Sequence, residues 1–300
     1  MTSSSSRIWL ITGANSGLGL SLAQYVLSQG DKVIAAVRKV SSIPDSISAA
    51  KPLVLDLNAT DSEIKRAGAE ALKNIRANRR YCLTGYTEEL DDADIKSEFQ
   101  TNFFGAISLT QSVPSKSSLS EMISEIGHIL NLSSIAAMAG GAPFSMYNAS
   151  KAALEAATET LSVELAPFNI RVLLIVPGYF PTNFLATAGA NGVRPERATG
   201  AYPDISAVPA AYAARHIDLK QVGDLNKAVA RMFEVVSGTG EAKGFVEAGR
   251  REFVRVLLGP DCGTRLRAKL QLLSENVEAA KPIWSSTDMD EEAFNKFAQQ

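Results

Sequence analysis

The sequence predicts an α/β fold, a doubly wound parallel sheet with helices on both faces. Two observations lead there. Short apolar runs alternate with helix-like stretches from the N-terminus onward, a pattern that gives parallel strands joined by crossover helices. One of the runs, Ile170–Val176, is apolar almost throughout, as a strand covered on both sides must be. With 300 residues, 46% of them hydrophobic, the chain can build a full core.

Taken in order, Arg7–Thr12 is a strand that ends in a glycine-rich turn. Leu18–Gln29 is a helix closed by Gly30, and Lys32–Val37 is a Val- and Ile-rich strand. Leu53–Leu57 is a further strand, followed by an amphipathic helix over Ser62–Asn74. Asp91–Val113 is a long helix entered through acidic capping residues, and Gly127–Leu132 is a strand. Tyr147–Pro167 is an Ala-rich helix and leads to the strand Ile170–Val176. Residues 186–215 are rich in Ala, Gly, Pro and Arg without a period, and are expected to be a substrate loop or lid. Asp224–Val236 returns to helix, and Gly259-Pro260 is a break. Leu266, Leu270, Leu273 and Val277 follow helical spacing. The expected organisation is one domain over 1–250, with a helical extension and polar tail over 251–300. No repeat of 20–50 residues is visible.

The formal charge of −2 gives no basic footprint for nucleic acid. Cys82 and Cys262 do not make a disulfide framework, so a reducing compartment is expected. His128 and His216 are too few and too isolated for a His-rich metal site, and no metal is expected. The N-terminus lacks the apolar stretch of a signal peptide. No run reaches the 18 apolar residues of a membrane span. A cytoplasmic protein without a membrane span follows as the expectation.

The turn Thr12-Gly13-Ala14-Asn15-Ser16-Gly17-Leu18-Gly19 joins the first strand to the first helix. Gly13 suits the tight turn, Gly17 a close approach of backbone to a pyrophosphate, and Gly19 close packing of helix on strand. Phosphates would then sit at the positive helix N-terminus. Glycine-rich turns also occur without ligands, and the placement between strand and helix is what favours a dinucleotide. A site for NAD usually ends its second strand in an acid that holds the ribose 2′-hydroxyl. Here that strand ends Ala35-Ala36-Val37-Arg38-Lys39. Arg38 offers a guanidinium to a 2′-phosphate instead, which favours NADP(H). The plainer reading of Arg38 and Lys39 is a pair of solvated charges.

Tyr147 and Lys151 are four residues apart and share a face if helical. A phenol with a pKa near 10 is a poor base at neutral pH. A neighbouring ammonium, or the positive ring of an oxidised nicotinamide, favours the phenolate. Alone, the Tyr-x-x-x-Lys spacing is a frequent accident.

Together, Thr-Gly-x-x-x-Gly-x-Gly at 12–19 and Tyr147-x-x-x-Lys151 resemble the short-chain dehydrogenase/reductase superfamily. The pattern is similar to fungal oxidoreductases of that group. The resemblance implies a Rossmann-type sheet and hydride transfer between NADP(H) and an alcohol or carbonyl substrate. Tyr147 would be the general acid or base, and Lys151 would bind ribose and tune it. Ser134, 13 residues before Tyr147, would hold the substrate oxygen, although Ser133 is adjacent. Asn102 would hold a water in the proton relay, and its plainer role is to cap or kink a helix. Ser16 and Leu18 would join Gly13, Gly17 and Gly19 around the cofactor. Asp56 would contact adenine, or would simply cap a strand end. Pro177-Gly178 leads to Phe180 and Thr182, and Thr182 would bond the nicotinamide carboxamide; the same segment also reads as a bare turn. The family's pairing helices, here Asp91–Val113 and Tyr147–Pro167, imply a homodimer or homotetramer. Met138, Phe144, Met146, Phe180 and Phe184 suit a medium-sized apolar substrate, such as a secondary metabolite or steroid-like molecule, or plain core.

One departure stands out. The family's fourth strand ends in Asn-Asn-Ala-Gly, and here residues 73–85 carry neither that motif nor an apolar run of four before Arg80. Arg76, Arg79 and Arg80 in a central strand would bury unpaired charge, at about several kcal/mol each. A defective gene model or splice product, a shortened irregular strand and a degenerate homologue are the three readings. The last leaves a non-catalytic NADP-binding sensor or scaffold as the alternative function.

Overall fold

The computed structural model describes residues 6–72, 82–112, 127–182, 184, 199–202, 221–249, 252–290 and 294. The anomalous stretch 73–81 lies outside the described residues, as does most of the expected loop 186–215.

Strands β1 (Ile8–Thr12), β2 (Lys32–Val37) and β3 (Lys51–Val54) form one parallel sheet in the order β1-β2-β3. Strands β4 (Gly127–Leu132), β5 (Ile170–Pro177) and β6 (Arg255–Leu258) form a second, also parallel, in the order β4-β5-β6. Among the described residues no ladder joins β1 to β4. The segment after 81 contributes only an isolated bridge, Gly85 to Phe144.

Among the described residues α-helices lie in every connection but one, β2 to β3, which carries two short 3-10 turns, Val40–Ser42 and Asp45–Ile47. Helix α1 (Gly17–Ser28) links β1 to β2, and α2 (Asp61–Leu72) follows β3. The long helix after Asp91 is in three pieces: α3 (Asp92–Phe99), a π-helical turn (Gln100–Phe104) and α4 (Gly105–Gln111). Asp91 caps it by accepting from the Ala93 N–H. A short helix α5 (Ala136–Ala139) and the long α6 (Ser145–Glu164) join β4 to β5. Helix α7 (Leu225–Ser237) is capped by Asp224, α8 (Lys243–Glu247) precedes β6, and α9 (Pro260–Ala279) and α10 (Lys281–Trp284) follow it.

The two-residue period of the strands sorts side chains onto two faces. Trp9 and Ile11 of β1 and Val33 and Ala35 of β2 join the main core with Leu22 and Val26 of α1 and Val229 and Phe233 of α7. Leu10, Ile34 and Ala36 point the other way, onto Ile64 of α2 and Leu109 of α4. Leu132, Leu173 and Ile175 of the second sheet belong to the same main core as Trp9 and Ile11. One hydrophobic layer therefore runs under both sheets, and the doubly wound reading holds.

Three boundaries differ from the sequence reading. The third strand is Lys51–Val54, not Leu53–Leu57. Its partner β2 ends at Val37, which accepts from the Leu55 N–H at 2.9 Å, so the ladder has nothing left to pair with. The long helix is not uniform, because Gly105 lies against the Leu57 backbone, where an added Cβ would come within 2.7 Å of the Leu57 carbonyl. The break at Gly259-Pro260 falls where expected, between a strand that ends at Leu258 and α9: Gly259 adopts a φ of 93° and Pro260 opens the helix, a position proline favours. Strand β6 lies beyond residue 250 and pairs with β5.

Candidate active site

The C-terminal ends of parallel strands, where helices begin, are where such sheets bind ligands. At β1, Gly13 and Gly17 adopt φ of 61° and 51°, which glycine tolerates and other residues rarely do. The Gly13 N–H donates to the Ala36 carbonyl at 3.0 Å, fixing the turn to β2. Ser16 is exposed at the start of α1, and no side chain caps that N-terminus. Its leading N–H groups are thus left for an anion. The Thr12 hydroxyl is buried beside the turn, with no hydrogen-bond partner among the described residues.

Gly19 packs directly on the turn: a Cβ there would stand 2.4 Å from the Gly13 carbonyl oxygen. Gly19→Ala is accordingly expected to displace the turn. Fluorescence titration of NADPH should show its affinity lowered at least about tenfold, a cost of ~1.4 kcal/mol. Leu18 is buried in the main core rather than facing the turn. Arg38 is exposed immediately after β2, and Asp56 is half-buried after β3. The Asp56 carboxylate accepts from the Asn58 N–H at 3.0 Å, as a strand-end cap does. On the far side Gly17 approaches Thr182, with an added Cβ 3.5 Å from the Thr182 methyl. That segment is pinned by α9: Asp261 accepts from the Tyr179 N–H at 2.9 Å. Phe180 is buried in the main core. Glycine turn, exposed guanidinium, uncapped helix end and Thr182 together fit a dinucleotide phosphate and its nicotinamide end.

The second half of the site is built on α6. Tyr147 and Lys151 are both buried, and the Lys151 Nζ lies 6.0 Å from the Tyr147 ring centroid. A buried ammonium needs partners, and this one donates to the Leu132 carbonyl at 3.0 Å. That bond ties the α6 face to the end of β4, where Ser133 and Ser134 follow. The two serines separate cleanly. Ser133 is fully buried and donates to Glu155 at 2.6 Å. Ser134 is half-buried and accepts from the Ala136 N–H at 3.2 Å, so its own proton is not used in that bond. Ser134 is the serine with a hydroxyl to offer.

Asn102 sits in the π-helical turn, buried, and its amide donates to Ser150 at 3.1 Å. Ser150 in turn donates to the Tyr147 carbonyl at 2.8 Å. Such π turns recur at functional positions because they re-aim a side chain. Around Tyr147 stand Cys82, Ala136, Phe144 and Phe184, with the Phe184 ring 5.5 Å away. These make an apolar wall around the Tyr147 ring. The Cys262 thiol, by contrast, is pushed up to about 11 by burial and donates to the Val176 carbonyl, a structural cysteine.

Two carboxylates escaped the sequence reading. Glu98 is fully buried and accepts from the Asn102 amide at 2.8 Å. Glu155 is 3% exposed and holds Ser133 and Arg255. Both stand four residues from a site residue on a helix, a signal that was there to read. Nothing in the sequence marks Arg255 as the partner of Glu155.

The sheet, the glycine turn and the buried Tyr147–Lys151 pair define a dinucleotide-binding α/β oxidoreductase. Residues 7–192, more than half the chain, match the family model for short chain dehydrogenases, and the chain belongs to that family. Oxidoreductase claN from Passalora fulva is 37% identical over 185 residues, covering 59% of this chain and 83% of its own. A short-chain dehydrogenase from Streptomyces avermitilis shares the fold with a TM-score of 0.75 at 25% identity, over 95% of this chain and 100% of its own. One from Burkholderia phymatum, in complex with NAD, has a TM-score of 0.68 at 19% identity, over 91% of this chain and 97% of its own.

Proposed function

We propose that the protein is an NADP(H)-dependent oxidoreductase interconverting an alcohol and a carbonyl compound. The observation that carries this is the buried Tyr147–Lys151 pair tied to the β4 end beside Ser134. When bound, the nicotinamide donates or accepts the hydride. Gly13, Ser16, Gly17 and Gly19 would hold its phosphates, Asp56 its adenine and Thr182 its carboxamide. Ser134 would donate a hydrogen bond to the substrate oxygen. Tyr147 would give that oxygen its proton in reduction and take it back in oxidation. The Lys151 ammonium lowers the free energy of negative charge on the phenol. The apolar wall of Phe144 and Phe184 suits a medium-sized apolar substrate of the secondary-metabolite or steroid-like kind.

The preference for NADP(H) rests on Arg38 and on the absence of an acid at the end of β2. Arg38→Ser should weaken NADPH binding about tenfold or more, the worth of a charge-assisted contact, and leave NADH binding within about twofold. Fluorescence titration with both cofactors checks it, and equal losses for the two would rule out a 2′-phosphate contact. We further infer a cytoplasmic homodimer or homotetramer paired through the long helices, where Phe104 and Val163 are exposed apolar residues. Among the described residues no helix is long and apolar enough to cross a membrane.

The test of the main reading is NADPH consumption over a panel of aliphatic, aromatic and steroid-like ketones. A second reading, an NADP-binding sensor, is favoured by residues 73–85, which lack the Asn-Asn-Ala-Gly motif and an apolar run of four before Arg80. Tight NADPH binding with no turnover of any ketone would establish that one instead.

A further inference from the structure

Glu98 has no part in the reaction outlined above, yet it lies at its centre. One carboxylate oxygen accepts from the Leu83 backbone N–H at 2.7 Å, and the other from the Asn102 amide at 2.8 Å. Asn102 passes the connection on to Ser150, the neighbour of Lys151. Leu83 follows Cys82, whose side chain packs on Tyr147. Both residues are buried, but among the described residues no strand carbonyl takes the Leu83 N–H. A single side chain thus joins the segment that follows the anomalous stretch to the candidate relay.

We propose that Glu98 is a positioning residue whose ionised carboxylate clamps the Leu83 backbone to the Asn102 amide and so sets the relay beside Tyr147 and Lys151. Its kinetic consequence rests on the oxidoreductase reading above; the clamp itself does not. The chemistry sets the condition. Both partners are donors, and the ionised carboxylate accepts from both with charge-assisted hydrogen bonds. Protonation puts an O–H on one oxygen and removes the charge, so the bonds to both donors weaken.

Burial pushes Glu98 up to about 7, against the downward pull of the Leu83 N–H, the Lys151 charge and the Asn102 amide. Protonation of Glu98 near neutral pH is therefore expected to loosen the clamp. On α6, which packs against α3, Lys151 is the charge that reaches Glu98, and Tyr147 is the titratable phenol beside it. Glu155, one turn on, is committed to Arg255. On α3 itself the other charges, Asp92, Asp94 and Lys96, are exposed or half-exposed. On the 82–83 segment the titratable group is the Cys82 thiol.

The sign for stability is opposite to that for activity. A carboxyl whose pKa is raised on folding stabilises most below its unfolded value of about 4.5 and loses that contribution as pH rises through about 7. The carboxylate that holds Asn102 is thus the less stable form of the fold.

The test uses the full chain. In the wild-type protein the Asn102 side-chain amide resonance should move with an inflection near the Glu98 value of about 7, read by ¹⁵N-detected NMR between roughly pH 5.5 and 8.5. Glu98→Gln, which sets an NH2 against one of the two donors, should abolish that inflection. With a ketone turned over by the wild-type protein, Glu98→Gln should lower kcat on the order of tenfold, less than the ~10²–10⁴-fold of a direct acid or base. It should also remove the acid limb of the kcat profile while leaving NADPH affinity unchanged. An Asn102 amide that does not titrate in the wild-type protein overturns the clamp, whether or not the variant folds. So does a folded Glu98→Gln protein with the wild-type kcat and acid limb. Absence of all ketone turnover in the wild-type protein sinks the enzymatic reading only, and the amide titration still decides the clamp.

Discussion

Tyr147→Phe should lower kcat for any accepted ketone by about 10²–10⁴-fold, the range of a lost general acid or base, or about 3–5 kcal/mol of barrier. The substitution removes one oxygen and keeps the ring. Tyr147 is 3% exposed, and Cys82, Ala136, Phe144 and Phe184 pack against its ring. A phenylalanine fills the same space, so the melting temperature and NADPH affinity should stay close to wild type. Stopped-flow or steady-state NADPH consumption and a fluorescence titration on the same samples separate the two quantities. On the proposed reading Ser134 would still orient the substrate oxygen and Lys151 would still hold the ribose, but no group would place a proton where the Tyr147 hydroxyl stood. A variant that keeps kcat within about tenfold of wild type would move the proton to another residue and end the assignment.

How much of this was legible in the sequence depends on the kind of signal. The first strand, the glycine turn and the Tyr147–Lys151 pair were legible because each is local: a two-residue period, a turn that only glycine permits, a four-residue spacing on one helix. The end of β3 was not, since it is set by where β2 stops. Strand β6 was missed because four residues, one of them Arg255, do not look like a sheet strand. They become one only because Leu174 through Pro177 lie alongside. Glu98 and Glu155 carry no local signal beyond their four-residue spacing from Asn102 and Lys151, and only their burial in the folded chain singles them out. Ser133 and Ser134 could not be told apart by register, whereas Glu155 tells them apart by claiming Ser133. The arginine-rich residues 76–80 lie outside the described part of the chain. The physical question they raised returns at Leu83, whose N–H is bonded to a carboxylate.

Arg255→Leu should be the most destabilising change away from the reacting groups. The Arg255 Nε and Nη2 both donate to one oxygen of Glu155, at 3.0 and 2.9 Å, and its Nη1 pairs with Glu159. The other Glu155 oxygen accepts from the buried Ser133 hydroxyl at 2.6 Å. Removing the guanidinium strands a carboxylate that is 3% exposed with a hydroxyl as its one described partner. Breaking a buried pair in this way costs on the order of 3 kcal/mol, since the desolvation of Glu155 is no longer offset. For a chain of 300 residues the melting temperature should fall by roughly 5 °C. Adding Glu155→Gln should recover most of the loss, because the cost lies in the orphaned charge and not in the missing contact. Scanning calorimetry of the single and double variants reads both effects, and a single variant melting within about 2 °C of wild type would show the pair to be worth little. Activity at 25 °C should survive in both. Ser134 is flanked by two backbone bonds, Ser133 N–H to Ile175 and Ile135 N–H to Pro177, at 2.8 and 3.1 Å. The sheet rather than the ion pair therefore fixes where its hydroxyl stands, and Arg255 stabilises the end of β4 without setting the geometry of the reaction.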